Sequence, residues 1–296
     1  MAWADAFESV GSRVVSREQL VARGATGRLL TSAVRNGQLI RARRDHYLLP
    51  NESRDVVDAV RVGGRIDCVS ALADAGVFAF DTTLTHVRLE HEMSRMRSTR
   101  SRFIPLTDVN RSDLRLHWLP LENDSHAPNY SVGIQDALAS SLRCQHPWHA
   151  LASLDNAIHL GFVSKYQVDR LFEDAPERVQ HLRTRVNGLA EAGQESVLRM
   201  IIVEAGLDFE LQVVVPKVGR VDLVVEGVLA LEADSRLAHD GWEHHVRDRR
   251  RDLLLAERSY MSLRPAYQHT MFEPHLVQRS ILGLLDQSRH FRRSFS

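Results

Sequence analysis

The stretch 209–234, FELQVVVPKVGRVDLVVEGVLALEAD, decides how the C-terminal third of the chain is read. Phe209 to Val215 and Arg220 to Val225 are valine-rich runs that suit central strands covered on both faces, and Val228 to Asp234 reads as a third strand. Asp222 sits inside an otherwise apolar strand, and Glu232 and Asp234 share a face of the next because side chains alternate. Just upstream, residues 194–205 read as a helix in which Glu195, Leu198 and Ile202 lie on one stripe, so a carboxylate points toward the core side. Burying three or four carboxylates together is costly without compensation. Two compensations present themselves: a divalent cation shared by the carboxylates, or an ion-pair network with Arg247, Arg249, Arg250 or Arg251. All-oxygen ligation favours a hard ion, Mg2+ with Mn2+ as a substitute, over zinc. Such an ion polarises a phosphodiester and lowers the pKa of an attacking water.

Strand register sets a condition on the shared cation. A two-residue Glu226-Gly227 turn would place Asp222 opposite Leu231, on the other face from Glu232. The metal reading therefore expects a loop with an odd number of residues centred on Gly227.

In order along the chain stand Glu195, Gln212-Val213, Val221-Asp222, Glu232-Ala233-Asp234, His239, Arg247-Asp248-Arg249-Arg250-Arg251-Asp252 and Leu263-Arg264. With this succession, residues from about 193 to 285 resemble the domain related to very-short-patch repair endonucleases, within the PD-(D/E)XK restriction-endonuclease-like superfamily. The resemblance implies an α/β domain with a central mixed sheet, Asp222 and Glu232 as metal ligands, and Asp234 and Glu195 as further or water-mediated ligands. It makes His239 the general acid/base, a role its near-neutral pKa suits, with a helix-flanking surface imidazole as the alternative. Gln212 would position water or metal, Arg247 and Arg251 would hold a scissile or neighbouring phosphate, and Asp252 would orient those arginines. Two positions depart from the pattern: Ser235 replaces a glycine, and Asp234 stands where the superfamily has a lysine that relatives of the repair type also lack.

The first fifty residues read as helix, helix and hairpin. Ser16 caps a helix through Leu20 and Val21 with Gln19 completing a capping box, and Gly24 stops it. A second helix, Thr26 to Asn36, carries Leu29, Leu30 and Val34 inward and Arg28 and Arg35 outward, with Asn36-Gly37 ending it. Residues 39–43 and 46–50 then form two strands around Arg44-Asp45. This is the layout of a winged helix, whose second helix enters a major groove while the wing touches phosphates. Between residues 11 and 50 eight arginines (13, 17, 23, 28, 35, 41, 43 and 44) face only Glu18 and Asp45, a local excess of six positive charges. Arg28, Arg35, Arg41, Arg43 and Arg44 are the DNA-binding candidates, and phosphate neutralisation by them would make affinity salt-dependent. A small helical domain with a solvated arginine face is the alternative. Val14-Val15-Ser16-Arg17, Gly24, Gly37-Gln38-Leu39-Ile40 and Tyr47-Leu48 resemble the N-terminal winged helix of AbiEi-type antitoxins, with Asp45-His46 in place of the glycine before the tyrosine.

Residues 51–190 read as a mainly helical middle region, similar to AbiEi-type proteins at Gly63-Gly64, Ser70-Ala71-Leu72, Ala75-Gly76-Val77 and Leu151 to Val163. His146 and His149 beside Pro147 read as loop residues rather than a metal pair. Arg95, Arg97, Arg100 and Arg102 read as a solvated loop or a nucleic-acid contact.

At 296 residues, 44% hydrophobic and 26% charged, the chain has the composition of a globular protein with room for two or more domains, which excludes collagenous, disordered and membrane-spanning classes. With 38 basic and 38 acidic residues there is no global field for coating a polyanion, so any nucleic-acid surface is local. Cys68 and Cys144 lack both metal-ligand spacing and a disulfide pattern, which reads as a reducing cytoplasm. No basic leader or long apolar run supports export or membrane insertion. The expectation is an α+β protein of three parts: a winged helix (1–50), an AbiEi-like middle (51–190) and an endonuclease-like domain (191–296). It would bind DNA in the cytoplasm and hydrolyse its phosphodiester bonds with Mg2+, in DNA repair or phage defence, as a homodimer for a two-strand cut or one protomer for a nick. The alternative is an antitoxin or transcriptional repressor with a toxin partner and a non-catalytic nuclease fold; RNA is a third, weaker substrate reading.

Overall fold

The computed structural model describes residues 2–90, 93, 95–121, 127–233 and 242–294. The chain is mixed α and β and divides into two compact units, residues 1–145 with 162–183 and residues 146–161 with 184–296.

The first unit opens with helix α1 (Trp3–Val10), which the sequence reading did not separate. Its Trp3, Ala6 and Phe7 join Leu20, Leu30 and Tyr47 in one apolar cluster, so α1 closes the core of the N-terminal stretch. Helix α2 (Arg17–Ala22) begins with the expected capping box: Gln19 N donates to Ser16 Oγ at 3.1 Å and Ser16 N to Gln19 Oε1 at 2.8 Å. Helix α3 (Gly27–Arg35) is capped by Thr26 and stops at Asn36, with Gly37 at φ 70°. It buries Leu30 and Ala33, while Leu29, expected inward, is exposed; residues 30, 33 and 34 share one helical stripe and 29 lies off it. Strands β1 (Ile40–Arg43) and β2 (His46–Leu48) pair antiparallel around Arg44-Asp45, with Asp45 itself at φ 63°. Val15 and Tyr47 exchange backbone hydrogen bonds of 3.0 and 2.9 Å, adding a third segment to the hairpin.

The chain continues through α4 (Arg54–Val62), β3 (Arg65–Ile66), α5 (Cys68–Asp74), β4 (Thr85–Arg88), β5 (Arg97–Ser98), β6 (Ser101–Pro105), β7 (Leu114–His117) and α6 (Ile134–Cys144). Strand β4 is the centre of a three-stranded sheet, antiparallel to β3 and parallel to β7, and α4 and α5 pack against it. The arginine run 95–102, read as a loop, includes the β5–β6 hairpin. Helix α7 (Pro147–His159) belongs to the second unit; His146, read as a loop residue, caps it by accepting from Trp148 N at 3.4 Å. Helices α8 (Lys165–Glu173) and α9 (Glu177–Gln180) return to the first unit.

The second unit continues with α10 (Gly193–Glu204), β8 (Phe209–Val215), β9 (Gly219–Val225), β10 (Leu229–Leu231), α11 (Trp242–Glu257), β11 (Met261–Leu263), α12 (Tyr267–Phe272) and α13 (Pro274–Ser294). Its sheet runs β11-β10-β9-β8 and is mixed: β8, β9 and β10 are antiparallel neighbours and β11 is parallel to β10. Strand β8 is an edge, with Val214 74% exposed, so its valines do not mark a strand covered on both faces as the sequence suggested. The inner strands β9 and β10 bury Val221, Leu223, Val225, Leu229 and Leu231. Helix α10 packs on α7, α12, α13 and β9. Asp155 of α7 is fully buried and accepts from Ser196 Oγ (2.7 Å), Arg199 Nη2 (2.6 Å) and Asn187 N (2.7 Å). Among the described residues no helix is long and apolar enough to cross a membrane.

Candidate functional site

The C-terminal sheet lines up three of the polar residues singled out in the sequence. The β9–β10 ladder pairs Val225 with Leu229, Val224 with Ala230 and Leu223 with Leu231, so its continuation sets Asp222 across from Glu232, one residue beyond β10. Three residues, Glu226 to Val228, lie between the paired Val225 and Leu229: this is the odd register that a shared site demands. Glu226 and Gly227 turn the corner with φ of 51° and 66°. On the other flank of β9, Leu211 pairs with Leu223 and Val213 with Val221, leaving Gln212 across from Asp222. Gln212, Asp222 and Glu232 therefore stand at neighbouring register positions across the sheet. Leu255 of α11 belongs to the same apolar cluster as Val224 and Ala230.

Gln212 interrupts its ladder with φ 51°, a left-handed backbone that costs a non-glycine residue about 1–2 kcal/mol. Its Nε2 donates to Glu195 Oε2 at 3.1 Å, while its Oε1 is buried with no hydrogen-bond partner among the described residues. Glu195, at the start of α10, accepts from Ala192 N (3.1 Å) and Glu191 N (3.2 Å). Burial first, and the Asp222 charge second, push its carboxyl up to about 7. Asp222 is half-buried, accepts from Ala233 N at 2.9 Å, and is itself raised above the usual carboxylate range by burial.

Glu232 is turned elsewhere. It pairs with Arg251 of α11 and, at 2.7 Å, with Arg264 Nε just after β11. Asp252 joins Arg264 (3.0 Å) and Arg249 (3.2 Å). Of the two compensations read from the sequence, the ion pairs are present at Glu232, while Glu195 and Gln212 meet through one hydrogen bond and Gln212 Oε1 is left as an orphaned acceptor. Of the two arginines expected to hold phosphate, Arg247 is exposed on α11 and Arg251 is committed to Glu232 and the Arg220 carbonyl. Asp234 and His239 lie outside the described residues.

In the N-terminal stretch, Arg28 and Arg35 are exposed on α3 and Arg44 is exposed at the hairpin tip. Arg41 and Arg43 are half-buried at the base of the hairpin. Arg41 lies 5.8 Å over the Tyr47 ring, its carbonyl accepts from Arg102 at 3.4 Å, and Arg43 donates to the Arg95 carbonyl at 3.4 Å. Burial, and then Arg97, lower the Arg43 guanidinium from its ordinary pKa; burial, and then Arg41, do the same to Arg102. Cations crowded in this way gain from an anion such as a phosphate. Arg13 and Arg23 serve the fold instead: Arg13 holds Glu52 and Asp74, and Arg23 holds Ser9.

One cluster was missed. Among the described residues, the gathered set of three or more metal-ligating side chains is Cys68, His86, His117 and Cys144, not the carboxylates. No short sequence spacing links Cys68 and Cys144, so nothing local marks them as ligands. The four residues come from α5, β4, β7 and α6, so only the folded sheet and helices reveal the grouping. No protein-family model matches the chain, and a search of curated proteins finds no significant relative.

Proposed function

We propose that this chain is a DNA-binding, divalent-metal-dependent endonuclease that hydrolyses phosphodiester bonds, acting in DNA repair or phage defence. The observation that carries the reading is the row Gln212–Asp222–Glu232, set by an odd loop register, with the Glu195 carboxyl against it. The resemblance of residues 193–285 to repair-type endonucleases supports the same roles. Asp222, Glu232 and Asp234 would hold Mg2+ or Mn2+, with the free Gln212 Oε1 and Glu195 at its edge; the ion would supply polarisation of the phosphodiester and acidification of a water. Glu195, poised near neutral pH, holds or takes a proton at the site, and His239 is the general acid/base. Arg247 and Arg251 bind the phosphate, which for Arg251 means exchanging Glu232 for the substrate. The arginines of α3 and the hairpin, Arg28, Arg35, Arg41, Arg43 and Arg44, dock the DNA.

The test is incubation of the purified protein with end-labelled duplex, mismatched and single-stranded DNA in Mg2+, Mn2+ or chelator, beside an Asp222→Ala variant. Metal-dependent cleavage lost in the variant is expected. DNA retarded but intact in every condition would overturn the proposal.

The ion pairs that engage Glu232 favour a second reading, an antitoxin or transcriptional repressor in which the nuclease fold is a non-catalytic platform. Such a protein binds its operator, and a toxin partner, equally well with chelator present.

A further inference from the structure

We propose that Cys68, His86, His117 and Cys144 hold a structural zinc ion in a closed Cys2His2 site that ties α5, β4, β7 and α6 together. The four ligand atoms all lie within 4.8 Å of one another. His86 Nδ1 and His117 Nε2 are 3.1 Å apart, and Cys144 Sγ is 4.0 Å from His86 Nδ1. A tetrahedral zinc, with bonds of about 2.0–2.1 Å to nitrogen and 2.3 Å to sulfur, spaces its ligands by about 3.3–3.8 Å. The cage is therefore already at zinc dimensions to within a few tenths of an ångström for these pairs.

The backbone aims the ligands. In the parallel β4–β7 pair Arg88 lies across from His117, so alternation puts His86, Arg88 and His117 on one face of the sheet. Helices α5 and α6 pack against each other and α5 packs on β4; Cys68 is the first residue of α5 and Cys144 the last of α6. Cys68, His86 and His117 are buried and Cys144 is half-buried.

The donor chemistry selects the ion. Two sulfurs and two imidazole nitrogens suit zinc and are poor ligands for Mg2+ or Mn2+, so this site is separate from the carboxylate row. Two thiolates neutralise Zn2+, and the neighbouring buried pair, Arg88 Nε to Asp67 Oδ2 at 2.8 Å, is neutral as well, so the loaded interior carries no unbalanced charge. Asp67 precedes Cys68 and accepts from Ser140 Oγ at 2.9 Å, which fixes the start of α5 against α6. Four protein ligands leave no position for water or substrate, which makes the ion a staple rather than a catalyst. A Cys68–Cys144 disulfide would use the sulfurs but leave the converging imidazoles unexplained.

The full-length protein, prepared in reducing buffer without chelator, tests the proposal by elemental analysis and zinc X-ray absorption. The expected result is about one zinc per chain in a shell of two sulfurs and two nitrogens. Cobalt substitution should give the intense d–d bands of a tetrahedral site with a thiolate charge-transfer band. His117→Gln and Cys144→Ser should each lose most of the metal, and Asp222→Ala should keep all of it. That last variant separates this proposal from the nuclease reading: cleavage can fail with zinc intact. Metal-free protein with both thiols titratable, a Cys68–Cys144 disulfide, or zinc in a sulfur-free shell would each overturn it.

Discussion

Glu195→Gln tests the electrostatics of the carboxylate row. Glu195 holds its proton up to about 7 in the folded protein, against an ordinary value of 4.5, because burial and the Asp222 charge both disfavour its anion. Below 4.5 the carboxyl is protonated folded or unfolded, and contributes no pH dependence. Between 4.5 and about 7 the unfolded chain releases the proton and the folded one keeps it, so stability falls as pH rises. Above 7 the penalty is complete and the curve flattens. A displacement from 4.5 to 7 corresponds to about 3 kcal/mol at 1.36 kcal/mol per pH unit, and solvent reaching the partly exposed carboxyl trims this to about 2 kcal/mol. The assay is urea unfolding at pH 5, 6, 7 and 8 without added divalent cation, for the wild type and Glu195→Gln. The wild type should lose about 1 kcal/mol more than the variant across that range, since part of the fall lies below pH 5. Parallel pH profiles for the two proteins would refute the reasoning, whatever the absolute cost of the substitution. With Asp222→Asn in place, the same loss should shrink, because one of the two causes is gone.

Other perturbations follow from the same geometry. Asp155→Ala strands the buried Arg199 guanidinium and should cost about 3–5 kcal/mol in denaturant unfolding; a cost under 1 kcal/mol would show that the pair is solvated. Arg28→Ala and Arg44→Ala should each weaken DNA binding and lower the slope of log affinity against log salt by about one, read by fluorescence anisotropy in a salt series. Arg13→Ala, whose guanidinium is bound to Glu52 and Asp74, should leave that slope unchanged while costing about 1–2 kcal/mol of stability.

What the sequence made legible was local. The Ser16–Gln19 capping box, the Gly37 stop and the hairpin around Arg44-Asp45 are set by neighbours within four residues, and each stands where it was read. The odd loop at Gly227 followed from requiring Asp222 and Glu232 on one face. Tertiary placement was not legible. Valine runs do not distinguish an edge from an inner strand, so β8 was misplaced; Leu29 is apolar but lies off the buried stripe of α3. Arg264, which engages Glu232, follows directly on a strand parallel to β10, some thirty residues away in sequence. The Cys and His ligands converge only because a parallel strand pair and two helices meet.

The proposed role of the carboxylate row is to bind a hard divalent cation. Mn2+ binding followed by electron paramagnetic resonance, with duplex DNA present, tests it most directly in the wild type and Asp222→Ala. Mn2+ is expected to bind the wild type and to be lost in the variant, with zinc content unchanged in both. Equal Mn2+ binding by the two proteins, or none by either, would contradict it.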